Sequence, residues 1–409
     1  MRITRVALAM LLTAAGSLAF ADWPQWRGPN RDGIIKNFTA PASWPDQLKS
    51  KWKVRVGVGH SSPVTDGGRA YLHSRLDDQE VISGFDLESG KVIWQDKYPV
   101  QYTMNPAATG HGKGPKSTPV IADGRLYTFG ITEVLSCYQL PAGKLLWRHQ
   151  LGKPYKQSAP DFGTAMSPLV DGELLIVYAG GIEQGALLAL DRKTGEKRWS
   201  WSGDGPAYAS PIVITASGTR QIVTQSRSNI ISVSAASGEL LWKIHFTTEY
   251  DQNIITPLAY KDLLIFSGLD RGVFAVRPVK RGSQWAADQV WINKDTPMYM
   301  SSPVLSGDLL FGFTHKSRGQ FFCIDAQNGQ TKWRGEPRQG DNAAMLVAGG
   351  VMLLLKDNGE LVVARPGSRA FEVIKVYKVA DSPTWAHPGI TSNGFLIKDA
   401  ENLALWTVR

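Results

Sequence analysis

Five gapless copies of one eleven-residue pattern, six copies of a second, shorter pattern and an extra strand at the N-terminal end predict an all-β chain closed into an eight-bladed β-propeller. The long copies are GFDLESGKVIW (84–94), CYQLPAGKLLW (137–147), ALDRKTGEKRW (189–199), SVSAASGELLW (232–242) and CIDAQNGQTKW (323–333). The short pattern is Ser or Thr, then Pro, then an apolar residue: Ser62-Pro63-Val64, Thr118-Pro119-Val120, Ser167-Pro168-Leu169, Ser210-Pro211-Ile212, Thr256-Pro257-Leu258 and Ser302-Pro303-Val304. Strand-like runs such as Arg125 to Gly130 join the two patterns, so each unit reads as four short strands recurring every 40 to 50 residues or so.

The long pattern is the chemistry of a hairpin. Asp86, Asp191 and Asp325 can accept hydrogen bonds from turn amides, and Gly90, Gly143, Gly195, Gly238 and Gly329 can take positive φ. The following strand delivers a tryptophan. Trp52, Trp94, Trp147, Trp199, Trp242, Trp291 and Trp333 are expected to be structural docking residues. Residues 254–294 form a degenerate unit ending at Trp291, and 342–379 another ending near Tyr377. The last unit, from Pro388, runs out after three strands. Lys51-Trp52-Lys53 can supply its fourth, giving eight blades with both termini tied together. Cys137 and Cys323 fill the same small slot as Gly84, Ala189 and Ser232, in the second and sixth blades, and are expected to be free, buried thiols.

The chain has 409 residues, 43% hydrophobic and 20% charged, with a formal charge of +9. These values exclude a disordered chain, and two cysteines exclude a disulfide-stapled scaffold. Arg2 and Arg5, an apolar run from Val6 to Phe20 and the small-x-small site Ala19-Phe20-Ala21 read as a secretory signal peptide cleaved after Ala21. The expected organisation is signal peptide 1–21, leader 22–49 and propeller 50–409, in a periplasmic or secreted monomer without a transmembrane segment. Lys49, Lys51, Lys53 and Arg55 alternate with Trp52, Val54 and Val56, which suits a charged outer strand shielded from edge-to-edge pairing better than a nucleic-acid surface.

No chemical motif stands out. Gly110-His111-Gly112-Lys113-Gly114 leads into a strand, not a helix, and reads as a loop, not a phosphate cradle. His73, His149, His245 and His315 lie in or beside strands and read as structural. No His or Cys pair has metal-ligand spacing, and no Gly-x-Ser-x-Gly elbow is present.

The repeated Asp-x-x-[Ser/Thr/Asn]-Gly-[Lys/Glu/Gln]-x-x-Trp pattern resembles the tryptophan docking motif of the pyrroloquinoline-quinone (PQQ) repeat family, over residues 50 to 409. The opening Trp23-Pro24-Gln25-Trp26-Arg27-Gly28-Pro29-Asn30 resembles a leader common in secreted members. The resemblance implies a propeller, and one of three roles: a non-catalytic binding scaffold, an outer-membrane protein assembly scaffold, or a PQQ- and Ca²⁺-dependent dehydrogenase. Dehydrogenases of the family carry adjacent, disulfide-linked cysteines and a Ca²⁺ held by Glu, Asn and Asp. This chain lacks adjacent cysteines, and its nearest oxygen-donor pairs, Asp251 with Asn253 and Asp341 with Asn342, read as solvated loops. No cofactor is therefore expected, with PQQ and Ca²⁺ as the alternative. The scaffold relatives are often lipid-anchored, and no cysteine follows the apolar run here.

The repeats also align the positions that do not repeat. Three residues before each blade-starting proline, or at the equivalent slot, stand His60, Lys116, Ala165, Tyr208, Ile254, Met300, Asn342 and Trp385. In a propeller these face the mouth of the central channel. The long connections Pro99 to Gly114 and Gly152 to Gly163 add Tyr102, Asn105, His111, Lys113, Tyr155 and Lys156. A mouth of mixed aromatic, Lys and His residues is the expected ligand site, suited to a protein, a glycan or a small anionic ligand. Trp23 and Trp26 are expected to form a strap against the ring.

Overall fold

The computed structural model describes residues 22–408 apart from 37, 158 and 182. The signal-peptide reading, on residues 1–21, lies outside them. Eight sheets follow one another around a ring: blade 1 from Val64–Asp66 to Val92–Pro99, blade 2 from Val120–Ala122 to Lys144–Gln150, and so on to blade 7, from Ala343–Ala348 to Glu372–Lys378. Blade 8 consists of Gly389–Ile390, Gly394–Lys398 and Asn402–Thr407, completed by the N-terminal strand Lys49–Arg55, which pairs antiparallel in register Lys49 to Thr407 and Arg55 to Asn402. Closure ties both termini into one blade and leaves each sheet with only short edges, at the channel and at the rim. Among the described residues no helix is long and apolar enough to cross a membrane.

The turn residues behave as their chemistry dictates. The amides of Ser89, Thr194 and Gln327 donate to Asp86, Asp191 and Asp325 at 2.8, 3.0 and 2.9 Å, and the five turn glycines have φ between 70° and 77°. Six of the seven docking tryptophans then cover the turn of the next blade. The indole N–H groups of Trp52, Trp199 and Trp291 donate to the carbonyls of Leu87, Ala235 and Ala326 at 3.0 to 3.1 Å. Trp242 departs from this, donating to Gln221 Oε1.

A feature invisible in the motif explains its small slot. In all eight blades the pairing of third and fourth strands shifts by one residue immediately before the tryptophan position, as between Leu145 and Trp147. Such a bulge turns the indole toward the neighbouring blade. The residue directly across the ladder is then Gly84, Cys137, Ala189, Ser232, Ala275 or Cys323. Space is tight there: a Cβ on Gly84 would sit 2.4 Å from Trp94 Nε1. Both cysteines are free and buried. In blade 7 the position after the bulge holds Lys375, paired with Asp46, so Tyr377 is not the tryptophan equivalent. It bonds instead to the Pro45 carbonyl of the leader.

The leader runs across the ring. Trp23 pairs with Thr65 of blade 1, and the Pro24 carbonyl accepts from Ile121 of blade 2. Arg31 donates to the Ser167 and Pro168 carbonyls of blade 3, and Arg27 to those of Ser302 and Pro303 of blade 6. Ile34–Ile35 adds a parallel fifth strand to blade 7. Gly28, at φ 82°, is required because a Cβ would meet the Trp23 ring at 2.4 Å. Two guanidiniums with 1% and 3% exposure thus bond carbonyls at the start of innermost strands on blades 3 and 6, and the leader crosses the channel's axis between them.

Candidate functional site

Seven of the eight innermost strands are preceded by a proline, which fixes φ and holds the residue before it extended; blade 7 has Met345 at that slot. The hydroxyl of that preceding residue accepts the equivalent backbone N–H of the previous blade. Ser62 donates to Thr118, Thr118 to Ser167, Ser167 to Ser210, Thr256 to Ser302 and His387 to Ser62, at 2.9 to 3.2 Å. This belt sets the height at which the chain turns into each blade. Immediately upstream, it aims one side chain per blade at the axis.

Those eight side chains, His60, Lys116, Ala165, Tyr208, Ile254, Met300, Asn342 and Trp385, line one cavity of about 210 Å³. Trp26 of the leader also lines it, donating to Thr256 Oγ1 at 2.9 Å and resting on His387 at 4.4 Å. The connection between blades 1 and 2 reaches over the mouth. Asn105 caps a short turn, Pro106–His111, that brings His111 edge-on to Trp385 at 4.5 Å and to His60 at 5.8 Å. The connection between blades 2 and 3 contributes Phe162, whose carbonyl accepts from Lys116 and whose N–H donates to Tyr208 Oη at 3.3 Å.

Not every expected residue joins them. Lys113 is exposed and does not line the cavity, because the turn ends at Gly112 and sends the chain outward; Lys156 is exposed as well. Asn105 is a cap, and Tyr102 and Tyr155 pack against interblade cores. His73 is sealed in blade 1 with Glu80 and Tyr98. His315, read as structural, lines with Asp341 a more open depression of about 560 Å³ that shares His111, Tyr299, Met300 and Trp385 with the cavity. Trp26, Phe162, Gln252, Tyr299 and His387 were not anticipated in the lining. Only His387 carried a signal, since it occupies the slot where six other blades keep Ser or Thr.

The electrostatics are one-sided. Burial lowers Lys116 to about 8 and His60 to about 3, with His111 and Lys116 adding to the effect on His60. Burial also holds His111 below its usual value, with Lys116 contributing, and His387 well below, with Arg27 contributing. Among the described residues no carboxylate lines the cavity. A Ca²⁺-bound quinone needs oxygen donors for the cation. The Asn342 and Gln252 amide oxygens already accept from Ser301 and Tyr299. Asp251 pairs with Arg227, and Asn253 bonds backbone carbonyls and Thr248. The residues present do not fit that pair. Among the described residues no three His, Cys, Asp or Glu side chains gather to hold a metal.

A closed ring of eight blades, seven four-stranded and one extended to five strands by the leader, with a docking tryptophan in seven of them, defines the class: a repeat propeller. The chain belongs to the PQQ-like repeat family, matching over residues 77–335 the family model described as outer membrane protein assembly factor BamB. It is similar to the quinohemoprotein alcohol dehydrogenase ADH-IIG of Pseudomonas putida, 26% identical over 202 residues, covering 48% of this chain and 23% of that protein. The matched stretches span between 23% and 32% of the curated relatives. Among solved structures, a europium-containing methanol dehydrogenase superposes with a TM-score of 0.67 at 13% identity, covering 94% of this chain and 89% of that one. BamB from Moraxella catarrhalis superposes with a TM-score of 0.62 at 14% identity, covering 88% and 99%. At these identities the structural likeness concerns the fold.

Proposed function

We propose that the protein is an exported, non-catalytic propeller scaffold whose ligand site is the axial cavity at the channel mouth. The observation that carries this reading is the convergence there of eight side chains that no repeat rule dictates, around a largely buried lysine, with no carboxylate and no nucleophile held by a base among the described residues of the lining. The Arg2 to Ala21 segment supports export to the periplasm or beyond. Dye reduction in the presence of PQQ and Ca²⁺ tests the non-catalytic part. No saturable turnover of alcohols or sugars is expected, and turnover requiring both additions would establish a dehydrogenase instead.

A protein-assembly role is the second reading. It is supported by the family match and by Val92, Ile93, Leu145 and Leu146, apolar residues 37% to 50% exposed on the outer strands of the adjacent blades 1 and 2. Pull-down with Ile93→Lys/Leu146→Lys separates the two readings. A partner lost from this variant and retained by Lys116→Ala would place the function on the rim.

A further inference from the structure

Among the described residues, every side-chain oxygen that lines the axial cavity, Tyr299 apart, already accepts a hydrogen bond from the protein. The hydroxyls of Thr256, Ser210 and Ser302 take the Trp26 indole N–H and the backbone N–H groups of Ser167 and Thr256, at 2.9 to 3.2 Å. Tyr208 Oη takes the Phe162 N–H, Asn342 Oδ1 the Ser301 hydroxyl and Gln252 Oε1 the Tyr299 hydroxyl. With their oxygens held, the carboxamides of Asn342 and Gln252 keep NH2 groups that have no partner among the described residues, and neither nitrogen is sealed, although the two residues are only 6% and 7% exposed. Lys116 adds a cation. Its ammonium donates to the Phe162 carbonyl and has no carboxylate partner among the described residues, so two of its three N–H donors are uncommitted. Its charge bears on the rings of both His60 and His111, which line the same cavity, and so lies within the site. Of the imidazoles, His60 Nε2 and His387 Nδ1 are sealed and offer nothing to a ligand. The rest of the lining is aromatic or apolar, with Trp26, Phe162, Trp385, Ile254, Met300 and Ala165.

From this one-sided set we propose that the cavity binds a monocyclic aromatic carboxylate with no hydrogen-bond donor of its own, an aryl oxo acid being the simplest. The proposal rests on the axial cavity being the ligand site. The carboxylate neutralises Lys116, the remaining oxygen accepts from the carboxamides, and the ring takes the place of water among the aromatic side chains. A ligand hydroxyl would give up its water partners and meet side-chain oxygens that are already engaged. A neutral ligand would leave the lysine uncompensated. Size agrees: a cavity of about 150 Å³ holds benzene, and this one, at about 210 Å³, has room for a carboxylate and a carbonyl besides the ring but not for a second ring as well.

The experiment is isothermal titration of the mature protein at pH 7, where Lys116 is charged, with benzoylformate and three compounds that each change one feature. Mandelate has a hydroxyl in place of the oxo group, acetophenone has no charge and pyruvate has no ring. Benzoylformate is expected to bind about tenfold or more tighter than acetophenone and pyruvate, and about fivefold or more tighter than mandelate. Lys116→Met should erase the advantage over acetophenone, and Trp385→Ala should reduce the advantage over pyruvate, thermal unfolding showing that each variant is folded. Any of the three binding as well as benzoylformate, or an unchanged benzoylformate affinity in Lys116→Met, overturns the proposal. If the compound that then binds is weakened by Trp385→Ala, the axial site still stands. Absence of binding by all four also overturns the proposal, and crystal soaking with neutral fragments that leaves the cavity empty would overturn the site as well.

Discussion

The outer tryptophan belt and the inner ring at the channel mouth are built from the same repeat, and they differ in what they tolerate. In the belt, seven of eight positions are tryptophan, each reached by the same bulge and, in six blades, opposed by a residue no larger than cysteine. At the mouth the equivalent slots hold eight different residue types, although the hydroxyl belt beneath them fixes the backbone alike. Where every blade must solve the same packing problem the sequence repeats. Where side chains face a shared cavity, no packing rule forces them to agree.

Breaking the belt should therefore cost stability, and altering the mouth should not. The largest effect is expected from removing Leu403 to Arg409, which takes the strand that pairs with Lys49–Arg55 and opens the ring. The whole protein should lose its cooperative thermal transition, and a truncated protein melting like its parent would rule out the closure. Next, Trp199→Ala removes a buried indole that covers Gly238 and donates to Ala235, and should cost about 3 to 5 kcal/mol in urea denaturation. Trp385→Ala, the same chemical change at the half-buried mouth, should cost well under half of that.

Lys116→Met should stabilise the ligand-free protein, on the order of 1 kcal/mol, by removing an uncompensated cation. The sign with pH follows from the lowered value. Below about 8 the folded lysine is charged and its burial penalty is complete; between about 8 and the unperturbed 10.5 the unfolded chain holds more protons, so wild-type stability rises with pH relative to the variant. The gap between the two proteins, measured by chemical denaturation at pH 7 and pH 9.5, should narrow. A gap that widens would mean the ammonium is already compensated. The smallest effect concerns the thiols. Burial pushes Cys137 up to about 11 and Cys323 up to about 12, so neither should react with a maleimide until the protein is unfolded.

Much of the fold was legible because turn chemistry and the Ser/Thr-Pro entrance are local, and local rules are written in short stretches of sequence. The bulge before each tryptophan was not legible, since a shift in ladder register has no residue of its own. It was visible only through its consequence, the small residue opposite. At the mouth, internal alignment grouped the eight axial positions because the ring places equivalent residues at equivalent radii. The leader defeated that method. Trp26 belongs to no repeat, and its place in the cavity depends on Arg27 and Arg31 reaching carbonyls 275 and 136 residues away in sequence. Lys113 misled for the opposite reason: it lies two residues from His111, but the turn at Gly112 separates their directions.

The central claim, that ligand recognition resides in the non-repeating ring of side chains, is tested most directly by a crystal structure of the mature protein soaked with benzoylformate, mandelate, acetophenone and a set of neutral fragments. The account predicts electron density inside the ring between Lys116 and Trp385, above an undisturbed Trp26. Compounds bound only along the outer strands, with the axial cavity holding none, would contradict it.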